Sequence, residues 1–582
     1  MHQFSVWAPF ARTAAVRIGD TSYPLHCGEG GWWHGDVEHA GPGTDYFYVL
    51  NDGKPVPDPR SAWQPLGVHG PSRIVDQSAF RWTDRLWQPM PLANGVVYEL
   101  HTGTFTPGGT FKSALERLDY LVDLGITHID LMPVNEFSGD WGWGYDGVDL
   151  YAPHHAYGSP NDLKQLVDTC HTKGLAVLLD VVYNHFGPIG NYLHQFGPYF
   201  TEAYRTPWGP AVNFDHTGSR EVRRFFLDNA LMWLRDYHFD GLRIDAVHAI
   251  VDRSAIPFLE SLSIEVEALA AELGKRFFVV AESDLNDPRV VTAREAGGLG
   301  MDAQWSDDFH HSLHVVLTGE DNGYYEDFGS FAQLVKSLSQ VFVYDGIYSK
   351  HRGRLHGRPV PSRLSGHRFL GYSQTHDQVG NRARGERLAH LVSQGRRKIA
   401  AALVLTSPFI PMLFQGEEFG ASSPFQYFTH HDDPEIGRLV SEGRRREFAA
   451  FGWDPAEIPD PQDPATFEAS KLHWQELAEE THAALLDWYK RLIALRRSTP
   501  ALTDGRLACV EAACDEKAQW FVLKRSNVQI ACNLAADRQP VPISGSPADT
   551  ICSESDYRLL SGAIELPPDS VAICIQGASV VA

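Results

Sequence analysis

The sequence predicts an α/β protein built on a closed (β/α)8 TIM barrel, with a small β-sandwich before it and an antiparallel β-domain after it. Three observations carry this. The 582-residue chain is long enough for several domains, one of them large. Between about residues 93 and 500 one unit recurs: an amphipathic helix, a glycine, then an apolar strand ending in charged residues. The polar strand ends, among them Asn184 and His185, Arg243 and Asp245, Glu282, and His376 with Asp377, would converge on one mouth if the strands close into a barrel. An open doubly wound sheet is the alternative, and the placement of these polar groups argues against it.

Residues 1–92 are rich in Gly, Pro and Trp and carry the short alternating runs FSVWAP, AAVRIGD and DYFYVLNDG, the pattern of a β-sandwich. In the first barrel unit Phe111, Leu115, Leu118 and Val122 fall on one face of a predicted helix, before Gly125 and the strand ITHIDLMPV. The second opens on Ser159 and Pro160 as N-cap and first helical residue. It buries Leu163, Leu166, Val167 and Cys170 and leads through Gly174 into LAVLLDVVYNH. A third runs from Ser219 through Val222, Phe226 and Trp233 to Gly241 and LRIDAV, and a fourth ends at Gly274 before FFVVAESD. Short strands return in residues 501–582, in ACVEAA, WFVLKRS, VQIACNL and VAICIQ.

A composition of 43% hydrophobic and 21% charged residues excludes disorder. A net charge of −23 repels phosphate backbones and anionic lipid, so nucleic acid is not an expected partner. The most apolar stretch, Ile399 to Phe414, is interrupted by Pro408 and Pro411 and is too short for a membrane span. The N-terminus lacks the pattern of a secretory signal, so the expected location is the cytoplasm. Seven cysteines without a C-x-x-C read as buried free thiols. FHHSLH places His310 and His314 one turn apart but has no Glu after the first His, so a zinc site is not expected there, and no cofactor is expected.

Arg243 and Asp245 lie two apart in a strand and share a face, while Leu242, Ile244 and Ala246 point to the other. A structural ion pair and a catalytic pair both fit that spacing. Glu282 and Asp377 end two further strands. Three carboxyls at three strand ends can supply a nucleophile, a general acid and a charge that stabilises an oxocarbenium-like transition state.

Four ordered segments, DVVYNH (180–185), GLRIDAVH (241–248), VVAES (279–283) and QTHDQ (374–378), resemble the motifs of the α-amylase family of glycoside hydrolases. The resemblance implies Asp245 as nucleophile, Glu282 as general acid and base, and Asp377 as transition-state stabiliser. It implies further that Arg243 orients Asp245, that His185, His376 and Gln378 bind substrate hydroxyls, and that Tyr145 of WGWGYDG stacks on the sugar face.

Between the motifs, stretches such as WGYDGVDLYAPHHAYGSPNDLKQLVD, FGPYFTEAYRTPWG and DAQWSDDFHHSLH are similar to one subgroup, the maltooligosyltrehalose trehalohydrolases, from about Val96 to about Trp474. This implies an immunoglobulin-like N-terminal sandwich. It also implies an α-1,4-glucan chain ending in trehalose as substrate, and a pathway shared with maltooligosyltrehalose synthase. After Asp245 this chain has His248-Ala249 where ordinary α-amylases commonly have Lys-His, and the subgroup shares that change. His248, Asp308, Tyr324 and Arg352 are the candidates for contacts to the leaving group. The competing readings are a glucan branching enzyme with the same carboxylates and a non-catalytic glucan-binding relative.

Overall fold

The computed structural model describes residues 1–449, 454 and 458–577, so the last five residues of the 501–582 segment lie outside the described residues. Eight parallel strands close into a barrel in chain order: β1 (Val97–Leu100), β2 (His128–Leu131), β3 (Ala176–Val181), β4 (Gly241–Ile244), β5 (Phe278–Ala281), β6 (Ala303–Trp305), β7 (Phe369–Gly371) and β8 (Ile410–Phe414). Strand β8 pairs back onto β1, which removes both sheet edges and excludes the open sheet.

Strand alternation sorts the residues. Val97, Leu178, Phe278, Val280, Ala303, Trp305, Leu370, Ile410 and Met412 form one apolar cluster within the barrel. Their neighbours along the strands, including Ile129, Leu131, Leu179, Leu242, Ile244, Val279 and Leu413, belong to the larger core that the helices cover. Toward the strand C-termini the first set turns polar, with Glu99, Asp130, Asp180 and Arg243 all buried. Register pairs Glu99 with Asp130 and Asp180 with Arg243, so the charges form one continuous layer above the apolar plug.

The surrounding helices include α1 (Pro160–Thr172), α2 (Ser219–Asp236), α3 (Phe258–Leu273) and α4 (Asp307–Thr318). Ser159 caps α1 in a reciprocal capping box with Asp162, and Pro160 opens it. The first predicted helix is different. It breaks into Phe111–Ala114, a 3-10 turn at Leu115–Arg117, and Leu118–Leu124, so Val122 is 41% exposed while Leu118, Leu121 and Leu124 are buried. The tighter turn rotates the apolar face away from a simple 3.6-residue repeat. Gly125 ends this segment at φ 98°, where a Cβ would lie 2.7 Å from Ile493 Cγ2. Between β5 and β6 the only helical element is a 3-10 turn at Arg294–Ala296.

Before the barrel, antiparallel strands between His2 and Arg73 form a three-stranded and a four-stranded sheet. After it, strands between Val510 and Gln576 form a five-stranded and a three-stranded sheet. All seven cysteines are free; Cys170, Cys532 and Cys574 are buried, but Cys27 is exposed on a short edge strand, against the expectation of burial.

The linker from the N-terminal sheets is fastened to the barrel through His171 of α1. Its Nδ1 lies 2.8 Å from Asp84 Oδ2 and its Nε2 3.0 Å from Asp240 Oδ2. A carboxylate only accepts, so both ring nitrogens carry protons and the residue is an imidazolium. Burial opposes that charge, yet the two carboxylates raise the pKa. Burial likewise works against ionised Asp84, but hydrogen bonds from His171 and His238 outweigh it and hold the carboxyl well below its usual range. Trp87 stacks on the His171 ring, centroids 4.7 Å apart, and donates to Asp240 Oδ1 at 2.7 Å.

The His171 contribution is full below its unfolded pKa of about 6.5 and fades as pH rises through the raised folded value. That of Asp84 is present above about 3.9 and is lost as pH falls through the depressed one. Asp84→Asn should therefore destabilise the protein by about 3 kcal/mol near pH 6, the cost of breaking a buried pair, and by less in alkali. Urea denaturation at several pH values checks this; a penalty that did not shrink with rising pH would mean that His171 is not charged.

Candidate active site

The charged layer is organised by Arg243 of β4, which is fully buried. Its Nη1 donates to both oxygens of Asp180 (2.9 and 2.8 Å) and to Asp245 Oδ1 (2.8 Å), and its Nη2 lies 3.0 Å from Glu282 Oε2. The guanidinium sits 4.3 Å from the Trp305 ring centroid. Three carboxyls, one on β3 and one just past the end of each of β4 and β5, thus meet one cation, and Asp180 also accepts from the Tyr145 hydroxyl at 2.6 Å.

The cation divides the two neighbouring carboxyls unequally. Burial pushes the pKa of Asp245 up, but Arg243, His185 and the Asn184 amide, 2.7 Å away, pull it below the ordinary value, so Asp245 is ionised. For Glu282 burial dominates: Arg243 pulls down, Asp245 and Asp377 push up, and the net shift is well above the ordinary value, so Glu282 is protonated. Ala246, immediately after Asp245, adopts a left-handed conformation at φ 39°, ψ 52°, unusual for a residue with a Cβ, and its N–H donates to Glu282 Oε2 at 2.8 Å. With Oε2 engaged by that amide, Oε1 is the oxygen free to carry the proton. One ionised and one protonated carboxyl side by side can act as nucleophile and general acid.

His185, His376, Tyr145 and Asp377 gather on one side of this pair. His185 Nε2 lies 3.0 Å from the Tyr145 carbonyl, and its ring stacks on Trp208, centroids 4.6 Å apart and 10° from parallel. Trp208 occupies the turn of the hairpin Phe200–Thr206/Gly209–Val212 and is 50% exposed. Tyr145 stacks on His376 at 5.0 Å. His376 and Asp377 open the short helix α5 (His376–Gly380), where the Asn381 amide donates to Asp377 Oδ1 at 3.0 Å. A Cβ at Gly380 would lie 2.0 Å from the Trp143 ring, so only glycine lets α5 seat against that indole. Gln378 uses its Oε1 to accept from the Thr375 N–H (3.1 Å) and hydroxyl (2.5 Å), which closes the α5 capping box.

The opposite flank is built around Asp284, which the sequence reading passed over. Arg352 Nη1 donates to Asp284 Oδ2 at 2.8 Å, and His248 Nδ1 lies 3.8 Å from Oδ1. Burial raises the Asp284 pKa, but His248 and Arg352 more than offset it and keep the carboxylate ionised. Tyr324 packs on Tyr325 and His311 and lies within electrostatic reach of Asp377.

Asp308 requires correction. It is 3% exposed, and its Oδ2 accepts from the backbone N–H groups of Val343 (2.6 Å) and Tyr344 (2.9 Å) and from the Asn286 amide (2.8 Å). That makes it an anchor for the segment after Val341, not a group facing the mouth. Its neighbour Asp307 accepts from the Tyr372 hydroxyl at 2.6 Å and interacts electrostatically with Asp284 and His248.

Glu99, Asp180, Asn184, Trp208, Asp284 and Trp305 also escaped assignment. For Asp284 a signal existed, since it stands two past Glu282, just beyond the end of β5. His154, in the one three-ligand cluster among the described residues (Glu136, His154, His155), has both ring nitrogens engaged, by the Gly139 carbonyl and the Ala156 N–H.

Asp308→Ala should cost roughly 2–4 kcal/mol of stability, because it strands buried N–H donors, while leaving KM within about threefold of the parent. Thermal melts and steady-state kinetics on the same variant decide: a tenfold rise in KM at unchanged Tm would return Asp308 to substrate binding.

The model of the α-amylase catalytic domain matches residues 73–205, and a domain of unknown function matches residues 505–573. A malto-oligosyltrehalose trehalohydrolase of Rhizobium sp. strain M-11 is 47% identical over 580 residues, 98% of this chain and 97% of that one. A crystal structure of a putative alpha amylase from Salmonella typhimurium superposes with a TM-score of 0.90 at 36% identity, covering 99% of this chain and 97% of that one. A 1,4-alpha-glucan branching enzyme of Bacillus cereus is 33% identical over 52% of each chain. Full-length similarity of this order, on a barrel whose mouth holds the family's carboxylates, places the chain in the malto-oligosyltrehalose trehalohydrolase family, within the α-amylase family of glycoside hydrolases.

Proposed function

We propose that this protein is a retaining α-glycosidase that hydrolyses the α-1,4 bond next to the trehalose end of maltooligosyl-trehalose, releasing trehalose and a maltooligosaccharide. The observation that carries the chemistry is the sharing of Arg243 between ionised Asp245 and protonated Glu282. Asp245 attacks the anomeric carbon while Glu282 gives its proton to the glycosidic oxygen, and trehalose leaves. Glu282, now a carboxylate, takes a proton from water, and the hydroxide equivalent displaces Asp245 from the same face that trehalose left. Asp377 stabilises the positive charge that develops at the ring in both steps.

The acid stands on the leaving-group side, so the flank of Glu282, with His248, Asp284, Arg352 and Asp307, is the wall that meets trehalose. Tyr324 stands nearer Asp377. The flank of Asn184, His185, Tyr145 and Trp208 receives the glucan chain, with the half-exposed Trp208 face available to a sugar ring. Tyr145 and His376 bound the sugar that is cleaved. Residues 93–500 form the catalytic unit in this reading, flanked by β-domains at 1–92 and 501–582. The same reading has the protein work in the cytoplasm, downstream of a maltooligosyltrehalose synthase that creates the trehalose end. No helix among the described residues is long and apolar enough to cross a membrane.

Incubation with maltotriosyl-trehalose and, separately, with amylose separates this from the branching reaction. Free trehalose is expected from the first, with little change in the iodine staining of the second; a shift in iodine colour without trehalose release would favour transfer. Asp245→Asn should lower trehalose release by at least about a thousandfold while the fold survives, and activity within tenfold of the parent would remove Asp245 from the role.

A further inference from the structure

The carboxylate of Glu99, on β1, makes its hydrogen bonds to a single residue of the site among the described residues. Its Oε2 accepts from the His376 backbone N–H at 3.0 Å and its Oε1 lies 2.5 Å from His376 Nδ1, with both side chains 2% exposed. With one Glu99 oxygen already accepting from the backbone N–H, the shorter contact fits the other oxygen accepting from a protonated Nδ1. That leaves Nε2 as the one ring nitrogen turned toward the site, 3.7 Å from Asp377 Oδ1. In a neutral ring Nε2 would present a lone pair to the Asp377 carboxylate, which repels it. In a protonated ring it presents an N–H, which the carboxylate attracts.

We infer that Glu99 is a positioning residue that holds His376 as an imidazolium, so that the ring meets the substrate as a fixed donor and never as an acceptor. The inference rests on the glycosidase reading only for what the donor contacts, a sugar oxygen. The surroundings agree. Besides Glu99 on β1, the ring is in electrostatic reach of Asp130 on β2 and Asp180 on β3, and of Asp377 on its own helix. Against it stands the Arg243 cation on β4, while His101, which burial keeps neutral at a pKa of about 3, brings no charge. Tyr145 covers one face of the ring, and Trp143 and Trp305 meet it edge-on. Burial works against the charge, but Glu99, with a smaller share from Asp377, outweighs it and raises the His376 pKa to about 9. Glu99 thus does for His376 what Arg243 does for Asp245: it fixes a protonation state.

The test uses the full-length protein labelled with 15N-histidine, the His376 signal being assigned by its loss in His376→Gln. In the parent, His376 should remain doubly protonated through about pH 8; in Glu99→Gln its midpoint should fall to about the ordinary 6.5. In kcat/KM for maltotriosyl-trehalose, the loss caused by Glu99→Gln should then be about thirtyfold greater at pH 8 than at pH 5, the fraction of an ordinary histidine still protonated setting the ratio. Glu99→Asp, which keeps the charge, should recover part of the alkaline activity and serves if the Gln variant folds poorly. A parent midpoint near 6.5, or a loss from Glu99→Gln that is the same at both pH values, overturns the inference. The titration needs no substrate, so its outcome is independent of whether trehalose is released.

Discussion

The site depends on one buried cation. Arg243 has no exposure to solvent, and taking a guanidinium out of water costs several kcal/mol that only close carboxylates can offset. Asp180 and Asp245 do so from two neighbouring strands, with the Glu282 carboxyl close by at the end of a third, and strand register brings Asp180 opposite Arg243. A slip of one residue in β4 would turn Arg243 against the helices and leave those carboxyls without it. Closure of the barrel is therefore an electrostatic condition as well as a packing one. The apolar plug below, with Trp305 against the guanidinium, shuts water out and strengthens every charge–charge term above it.

From that constraint the division of labour follows. One cation cannot hold three buried carboxyls ionised. Asp245 has the additional support of Asn184 and His185 and keeps its charge, whereas Glu282 has Asp245 and Asp377 as neighbours and keeps a proton. The left-handed turn at Ala246 aims a backbone N–H at Glu282, a local strain that sits where the chemistry needs a particular oxygen left free. The polar layer continues through Asp130, which burial and the nearby Asp180 and Glu99 carboxyls drive well above the ordinary range.

Much of this was legible before any fold was known. The two-residue spacing of Arg243 and Asp245 put both on one strand face, and the glycine–strand repeat located the barrel. Local breaks were not legible: the face through Val122 failed because a 3-10 turn at Leu115–Arg117 shifted its phase. Nor could spacing separate Asp307 from Asp308, adjacent acids of which one faces Tyr372 and the other ties down the backbone of Val343 and Tyr344. Glu99 and His376 are separated by most of the barrel in sequence and meet only because β8 pairs back onto β1 and brings β7 and β1 to the same mouth. Asp284 was within reach, standing two past Glu282.

The central claim is that Asp245, held ionised by Arg243, and Glu282, held protonated by burial and its carboxylate neighbours, cleave by double displacement. Proton NMR of the anomeric region, recorded in the first minutes of maltotriosyl-trehalose cleavage, tests it most directly. The account predicts that newly formed maltotriose appears first as the α-anomer and relaxes to the equilibrium mixture only later, because two displacements restore the starting configuration. Initial appearance of the β-anomer would show a single displacement by water and would contradict the assignment of Asp245 as nucleophile.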